Sequence, residues 1–168
     1  MNDIKVMNHA ADNIRILTAA MVEKAKSGHP GGAMGGADFI NVLYSEYLQY
    51  DPENPYWEGR DRLFLDPGHM SPMLYGVLSM TGHFTLEELQ QFRQWGAPTP
   101  GHPELNVMRG VENSSGPLGQ GHTYGIGAAI ERSSWLHVQA TLHSTKKLFT
   151  FIYLMVVSKK KYHKVPVV

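Results

Sequence analysis

The chain has 168 residues, 42% of them hydrophobic, which is enough for one ordinary core or for part of a larger domain. Fifteen Lys and Arg balance fifteen Asp and Glu, so the zero net charge supplies no ground for a nucleic acid partner. The absence of Cys excludes disulfide scaffolds, thiolate nucleophiles and Cys-based zinc sites. The N-terminus has no apolar signal core, so a cytoplasmic protein is expected. The longest mostly apolar stretch, 148–157, is about half of the roughly 20 residues a membrane span needs, so no membrane association is expected.

In chain order, apolar residues at Ile4, Met7, Ala11, Ile14, Leu17, Met21 and Val22 predict a helix over 3–27, capped by Asp3 and closed by Gly28. A loop follows at Gly28-His29-Pro30-Gly31-Gly32. A second helix is predicted over 37–48, with Phe39, Val42, Leu43 and Tyr47 facing inward. Residues 51–55 read as loop. Arg62-Leu63-Phe64-Leu65 is a short strand ended by Asp66-Pro67-Gly68, and His69 opens the next helix, with Met73, Leu74, Val77 and Leu78 on one face. Thr85-Leu86-Glu87-Glu88 has the capping-box pattern of a helix start. Residues 96–121, rich in Gly and Pro, carry little regular structure before a helix over 121–130. This order predicts an α/β fold class built on a parallel sheet, helix-rich in this piece. Ligands in such sheets collect at the loops after strand C-termini, and His69 occupies that kind of position.

The average composition hides a break. All 17 Gly lie at or before Gly127, and residues 1–130 hold 8 Lys and Arg against 14 Asp and Glu, whereas residues 131–168 hold 7 against 1. A division of the chain into 1–130 and a basic tail, 131–168, is therefore expected, although no Gly- or Pro-rich linker separates them.

Five of the nine His follow a Gly, and three of these, His29, His69 and His102, sit in stiff Gly/Pro loops. Gly before His lets the backbone approach a ligand, and Pro holds the loop stiff. Imidazole can donate to phosphate or hydroxyl oxygens and can move protons near neutral pH. The spacing of the three suits no metal site. His83 is expected only to join two helices. Ser115-Gly116-Pro117-Leu118-Gly119-Gln120-Gly121 precedes a helix, where exposed backbone groups can hold a flat heterocycle or an anion.

Four motifs in this order, Lys26-Ser27-Gly28-His29-Pro30-Gly31-Gly32, Phe64-Leu65-Asp66-Pro67-Gly68-His69, Gly101-His102-Pro103-Glu104 and Gly116-Pro117-Leu118-Gly119-Gln120-Gly121, resemble the N-terminal, diphosphate-binding part of transketolases over residues 1 to about 130. The resemblance implies an enzyme family of the pentose phosphate pathway. Its members transfer a two-carbon ketol unit between sugar phosphates with thiamine diphosphate and a divalent metal such as Mg2+, and work as homodimers. It also implies roles: His69 at the cofactor diphosphate, the Gly116, Pro117 and Leu118 backbone along the aminopyrimidine side, and His29 and His102 at the substrate hydroxyls and carbonyl oxygen. The cofactor carries the difficult carbanion chemistry, and the protein orients groups and moves protons.

After Ile130 the motif resemblance stops. The family next needs an Asp-Gly turn and an Asn for the metal, yet no Asp follows Asp66 and no Asn follows Asn113. The glutamate that activates the aminopyrimidine belongs to the family's next domain. The 168 residues alone are therefore expected to be inactive; the contrasting reading is a non-catalytic binding module that reuses the His loops. A frameshift is the expected origin of 131–168. When the last base of each codon is read with the first two of the next, residues 132–136 can be encoded as Phe-Leu-Val-Ala and residues 151–157 as Tyr-Ile-Ser-Asp-Gly-Gly, which restores the missing turn.

Overall fold

The computed structural model describes residues 2–140, 149–150 and 154–157, with side chains through residue 132. Helix α1 (Ile4–Ala25) begins as its cap predicts, with Asp3 Oδ1 accepting from the N–H groups of Lys5 and Val6 at 2.7 and 3.3 Å. It ends two residues earlier than Gly28 suggested, with Lys26 as its cap in the left-handed conformation (φ 50°). The expected loop at 28–32 is a helix start instead: α2 (Pro30–Gly35) begins at Pro30, whose fixed φ and missing N–H suit the first helical position.

The second predicted helix is α3 (Ala37–Val42) continued by a π-helical turn (Leu43–Tyr47), and its inward face differs from the expected one. Leu43 is 5% exposed, but Phe39 and Val42 are each 39% exposed and Tyr47 71%; Ala37, Ile40, Asn41 and Tyr44 are buried in their place. Two features set this phase. Gly36 lies so close to Met73 that a Cβ there would come within 2.6 Å of its Sδ, so the small residues face the next helix. Tyr44 follows Ala37, Ile40 and Asn41 at helical spacing, and the π turn then carries Tyr47 out.

Strand β1 (Arg62–Leu65) lies as predicted, followed by a 3-10 turn (Gly68–Met70) and α4 (Ser71–Met80), on which Met73, Leu74, Val77 and Leu78 are all buried. The Thr85–Glu88 capping box forms, although α5 (Leu86–Leu89) is a single turn. A 3-10 turn (Val107–Arg109) interrupts the irregular stretch before α6 (Gln120–Ala140). That helix passes Ile130 without a break, because no Gly or Pro stands between Ala128 and Ala140 to stop it.

Helices cover both faces of β1, as an α/β layer requires. Leu63 and Leu65 join the main core with Ile14 and Met21 of α1 and Met73, Leu74 and Tyr75 of α4, while Phe64 turns the other way onto Ala128 and Ala129 of α6. Full burial of each large apolar side chain contributes about 1.5–3 kcal/mol, so this shared core is a main source of stability. The sheet order is β1-β3-β2, with β2 (Phe149–Thr150) and β3 (Leu154–Val157). Both pairings are antiparallel, with Leu65 opposite Leu154. β2 thus runs in the direction of β1 without pairing to it, because β3 takes the place beside β1; the pairings among the described residues are antiparallel where a parallel sheet was expected. Paired on both sides, β3 is the central strand, a position that its apolar sequence suits. Among the described residues, no helix is long and apolar enough to cross a membrane.

Candidate functional site

Four segments converge at the C-terminal end of β1. Gly68 carries the chain from β1 into the His69 turn, and a Cβ there would lie 2.7 Å from the Ser115 carbonyl, so the His69 and 115–121 turns touch through backbone. His29, at the start of α2, places its ring centroid 4.9 Å from that of His69. The His102 ring lies before Gly116, 3.9 Å from where a Cβ would be. The structure thus brings His29, His69 and His102 together with the Gly116 turn, whose Pro117 and Leu118 are exposed.

Anchors hold each turn in place. Ser71 Oγ donates to Gly101 O at 2.8 Å and Tyr75 Oη to Pro100 O at 2.9 Å, fixing the approach to His102. Burial pushes the Tyr75 phenol well above its usual range, so it remains a donor. Ser115 N–H donates to Pro103 O at 3.0 Å. Asn113 accepts from Leu65 N–H at 3.0 Å and donates to Leu65 O at 3.2 Å, finishing the strand with a side-chain amide. The His102 imidazole is held below its ordinary value by desolvation, and then by the positive fields of Arg93, His69 and His29. It is neutral near pH 7, with one ring nitrogen free to accept a proton.

The residues suit an anionic heterocycle better than a metal. Ser115 Oγ is buried without a hydrogen-bond partner beside the His69 turn, which is an orphaned donor facing the site. Gly119 (φ 87°) has open space where a Cβ would stand. Together with the imidazoles, these groups fit thiamine diphosphate. Among the described residues no three His, Asp or Glu side chains are placed to hold a metal ion. Of residues 151–157, where the shifted frame would encode the metal turn, 151–153 lie outside the described residues, as do the residues after 157.

Two features of the site escaped the sequence reading. Arg93 joins the His29 and His102 turns; its guanidinium donates to Ser27 Oγ at 2.6 Å. Buried Asp66 receives Gly119 N–H at 3.1 Å and lies 2.5 Å from His122 Nδ1, fastening the start of α6 to the end of β1. Both pairings join residues remote in sequence, and only the Gly-His step at His122 hinted at either. His83, as expected, takes no place in the cluster. It packs beside Gly110, and Arg109 donates to its carbonyl at 3.4 Å.

The family described as transketolase, thiamine diphosphate binding domain, matches residues 6–158, past the point where the motif resemblance ends. Transketolase-1, chloroplastic, of Arabidopsis thaliana is 46% identical over 130 residues, which cover 76% of this chain and 18% of that protein. Transketolase 2 of Escherichia coli is 44% identical over 146 residues, 86% of this chain and 22% of that protein. The solved transketolase of Leishmania mexicana superposes with a TM-score of 0.75 at 42% identity, covering 82% of this chain and 20% of that one. A Pichia stipitis transketolase in complex with sedoheptulose-7-phosphate gives 0.75 at 38% identity, covering 79% and 20%. The chain spans about a fifth of the length of these relatives. With this likeness and the histidine cluster at the end of β1, the chain belongs to the transketolase thiamine diphosphate binding domain family.

Proposed function

We propose that this chain is the N-terminal part of a transketolase, contributing one wall of a thiamine diphosphate site at which a two-carbon ketol unit passes between sugar phosphates. The convergence of His29, His69 and His102 on the Gly116 turn carries this reading. His69, on the turn directly after β1, donates to the diphosphate. The Gly116–Leu118 backbone lines the aminopyrimidine side. Thiamine diphosphate, when bound, supplies the carbanion that adds to a ketose carbonyl. His29 and His102 orient the sugar hydroxyls and the carbonyl oxygen, and neutral His102 accepts and returns protons there.

On this reading the 168 residues by themselves transfer nothing. The described residues offer no donor set for a divalent metal such as Mg2+, and four fifths of a transketolase's length, with the second copy of a homodimer, lies elsewhere. Calorimetric titration with thiamine diphosphate, with and without Mg2+, should give weak or no binding, and a coupled assay should show no ketol transfer. At millimolar cofactor, resonances of His69 and residues 116–118 should shift first. Metal-dependent turnover by the purified chain would overturn its inactivity, and shifts confined to other residues would overturn the site.

The same reading treats residues 131–168 as a frameshifted continuation, supported by the sudden loss of Gly and the reversal of charge. Sequencing the gene from codon 131 tests it. An intact frame, with no Ser-Asp-Gly-Gly encoded in the alternative one, ends the idea.

A further inference from the structure

Arg93 occupies a position that its own segment does not explain. It follows α5 in the left-handed region (φ 63°), and its N–H donates to Thr99 O at 3.0 Å, closing a tight loop that leads to His102. From there the side chain reaches back to the turn after α1, where Nη1 donates to Ser27 Oγ at 2.6 Å, two residues before His29. Its guanidinium covers Gly101, one residue before His102, so tightly that a Cβ on Gly101 would stand 2.6 Å from Nε and 3.0 Å from Cζ. Nε itself is buried without a hydrogen-bond partner. A buried donor left unpaired costs about 1–3 kcal/mol, so simple economy of folding does not account for this arrangement.

We propose that Arg93 is a positioning residue, whose planar guanidinium sets the separation of the His29 and His102 turns so that both imidazoles face one substrate. This rests on the functional reading above. The chemistry favours Arg over Lys, because a flat fork can lie on the Gly101 backbone and still donate to Ser27, whereas a single ammonium reaches one of them. Its charge acts in the same direction as its geometry: a fixed cation beside His102 disfavours the imidazolium and keeps a proton-accepting nitrogen available. The groups that face His102 are Arg93, His69 and His29, with Glu104 two residues further along its own loop.

The test follows the imidazole resonances of His29 and His102 through a pH titration of the full 168-residue chain by NMR. In Arg93→Gln the His102 midpoint should rise and the His29 resonances should move. Arg93→Lys should rescue the low His102 midpoint, since the charge remains, but not the His29 resonances. Ser27→Ala should move His29 and leave the His102 midpoint unchanged. Should Arg93→Gln fail to fold, Gly101→Ala serves instead: its backbone conformation admits Ala, the new methyl displaces the guanidinium, and both imidazoles should respond. Parent-like resonances and midpoints for both His29 and His102 in folded Arg93→Gln or Gly101→Ala would overturn the proposal. Shifts with thiamine diphosphate confined to residues other than His69 and 116–118 would count against the functional reading alone, because these titrations need no cofactor.

Discussion

At the start of β1, Arg60 Nε and Nη2 meet the two carboxylate oxygens of Glu112 at 2.7 and 3.1 Å, Asp61 accepts Gln49 N–H at 2.9 Å, and Tyr44 meets the edge of Tyr50 with centroids 5.3 Å apart. At the other end of the same strand, three imidazoles stand within reach of one another, Ser115 Oγ has no partner, and Gly119 faces open space. The first end spends its charges on each other, and burial raises the Tyr50 phenol to about 12, keeping it a neutral donor. Buried atoms without a partner occur at both ends, Gln49 Oε1 and Arg62 Nε at the first and Ser115 Oγ at the second, so what sets the second end apart is its cluster of imidazoles. A strand of four residues thus has a structural end and a chemical end, and substitutions should separate them.

The largest effect is expected at the chemical end. In a full-length transketolase carrying these loops, His29→Ala or His102→Ala should lower kcat by about 100-fold or more while thiamine diphosphate affinity changes little. His69→Ala should do the reverse, chiefly weakening the cofactor. Steady-state kinetics with a cofactor titration reads both quantities, and equal losses at all three positions would remove the assigned roles.

Glu112→Ala attacks the structural end. The Arg60 and Glu112 side chains are only 15% and 9% exposed, so removing the carboxylate leaves a largely buried guanidinium without its counter-ion. The chain should lose about 3 kcal/mol, a fall of roughly 10 °C in Tm followed by circular dichroism. The histidine resonances should remain as in the parent. A loss under about 1 kcal/mol would mean the pair behaves as an exposed one.

Thr85→Ala is a milder probe, remote from both ends. It removes the acceptor for Glu88 N–H, at 3.2 Å, and half of the reciprocal cap that opens α5. About 1 kcal/mol should disappear in urea denaturation, with no change at the three imidazoles.

The smallest effect concerns His83, lowered from 6.5 by desolvation and then by the Arg109 charge. A depressed folded value means that the unfolded chain binds the proton more readily. The contribution of His83 is therefore complete above pH 6.5 and disappears as pH falls through the lower, folded value. His83→Gln should flatten the decline in stability below pH 6.5. A slope identical to that of the parent would show that the imidazole is solvated in both states.

Local chemistry made much of this legible before any coordinates. Asp3 and Thr85 cap their helices because a side-chain oxygen three residues or fewer from an unpaired N–H needs nothing from the rest of the chain. Strand β1 and the inward face of α4 followed from dense apolar runs between breakers. The three Gly-His loops marked the site because Gly and Pro restrict backbone in ways that show directly in sequence. The face of α3 was misjudged because apolar residues surround that helix, and only contact with Met73 and the π turn chose among them.

What the sequence by itself determined is the inventory: where chain segments bend, which ends carry caps, and which imidazoles sit in stiff turns, together with the break in composition near Ile130. All of these depend on neighbours within a few residues. Tertiary structure alone decided that Arg93 spans two His turns, that Asp66 fastens Gly119 and His122, that Asn113 completes the end of β1, and that β3 rather than β2 lies beside it. Each of these joins residues far apart along the chain. Such contacts need the burial of Leu63, Leu65 and Phe64 between the helices to offset the entropy of bringing distant segments together, and no local pattern encodes them.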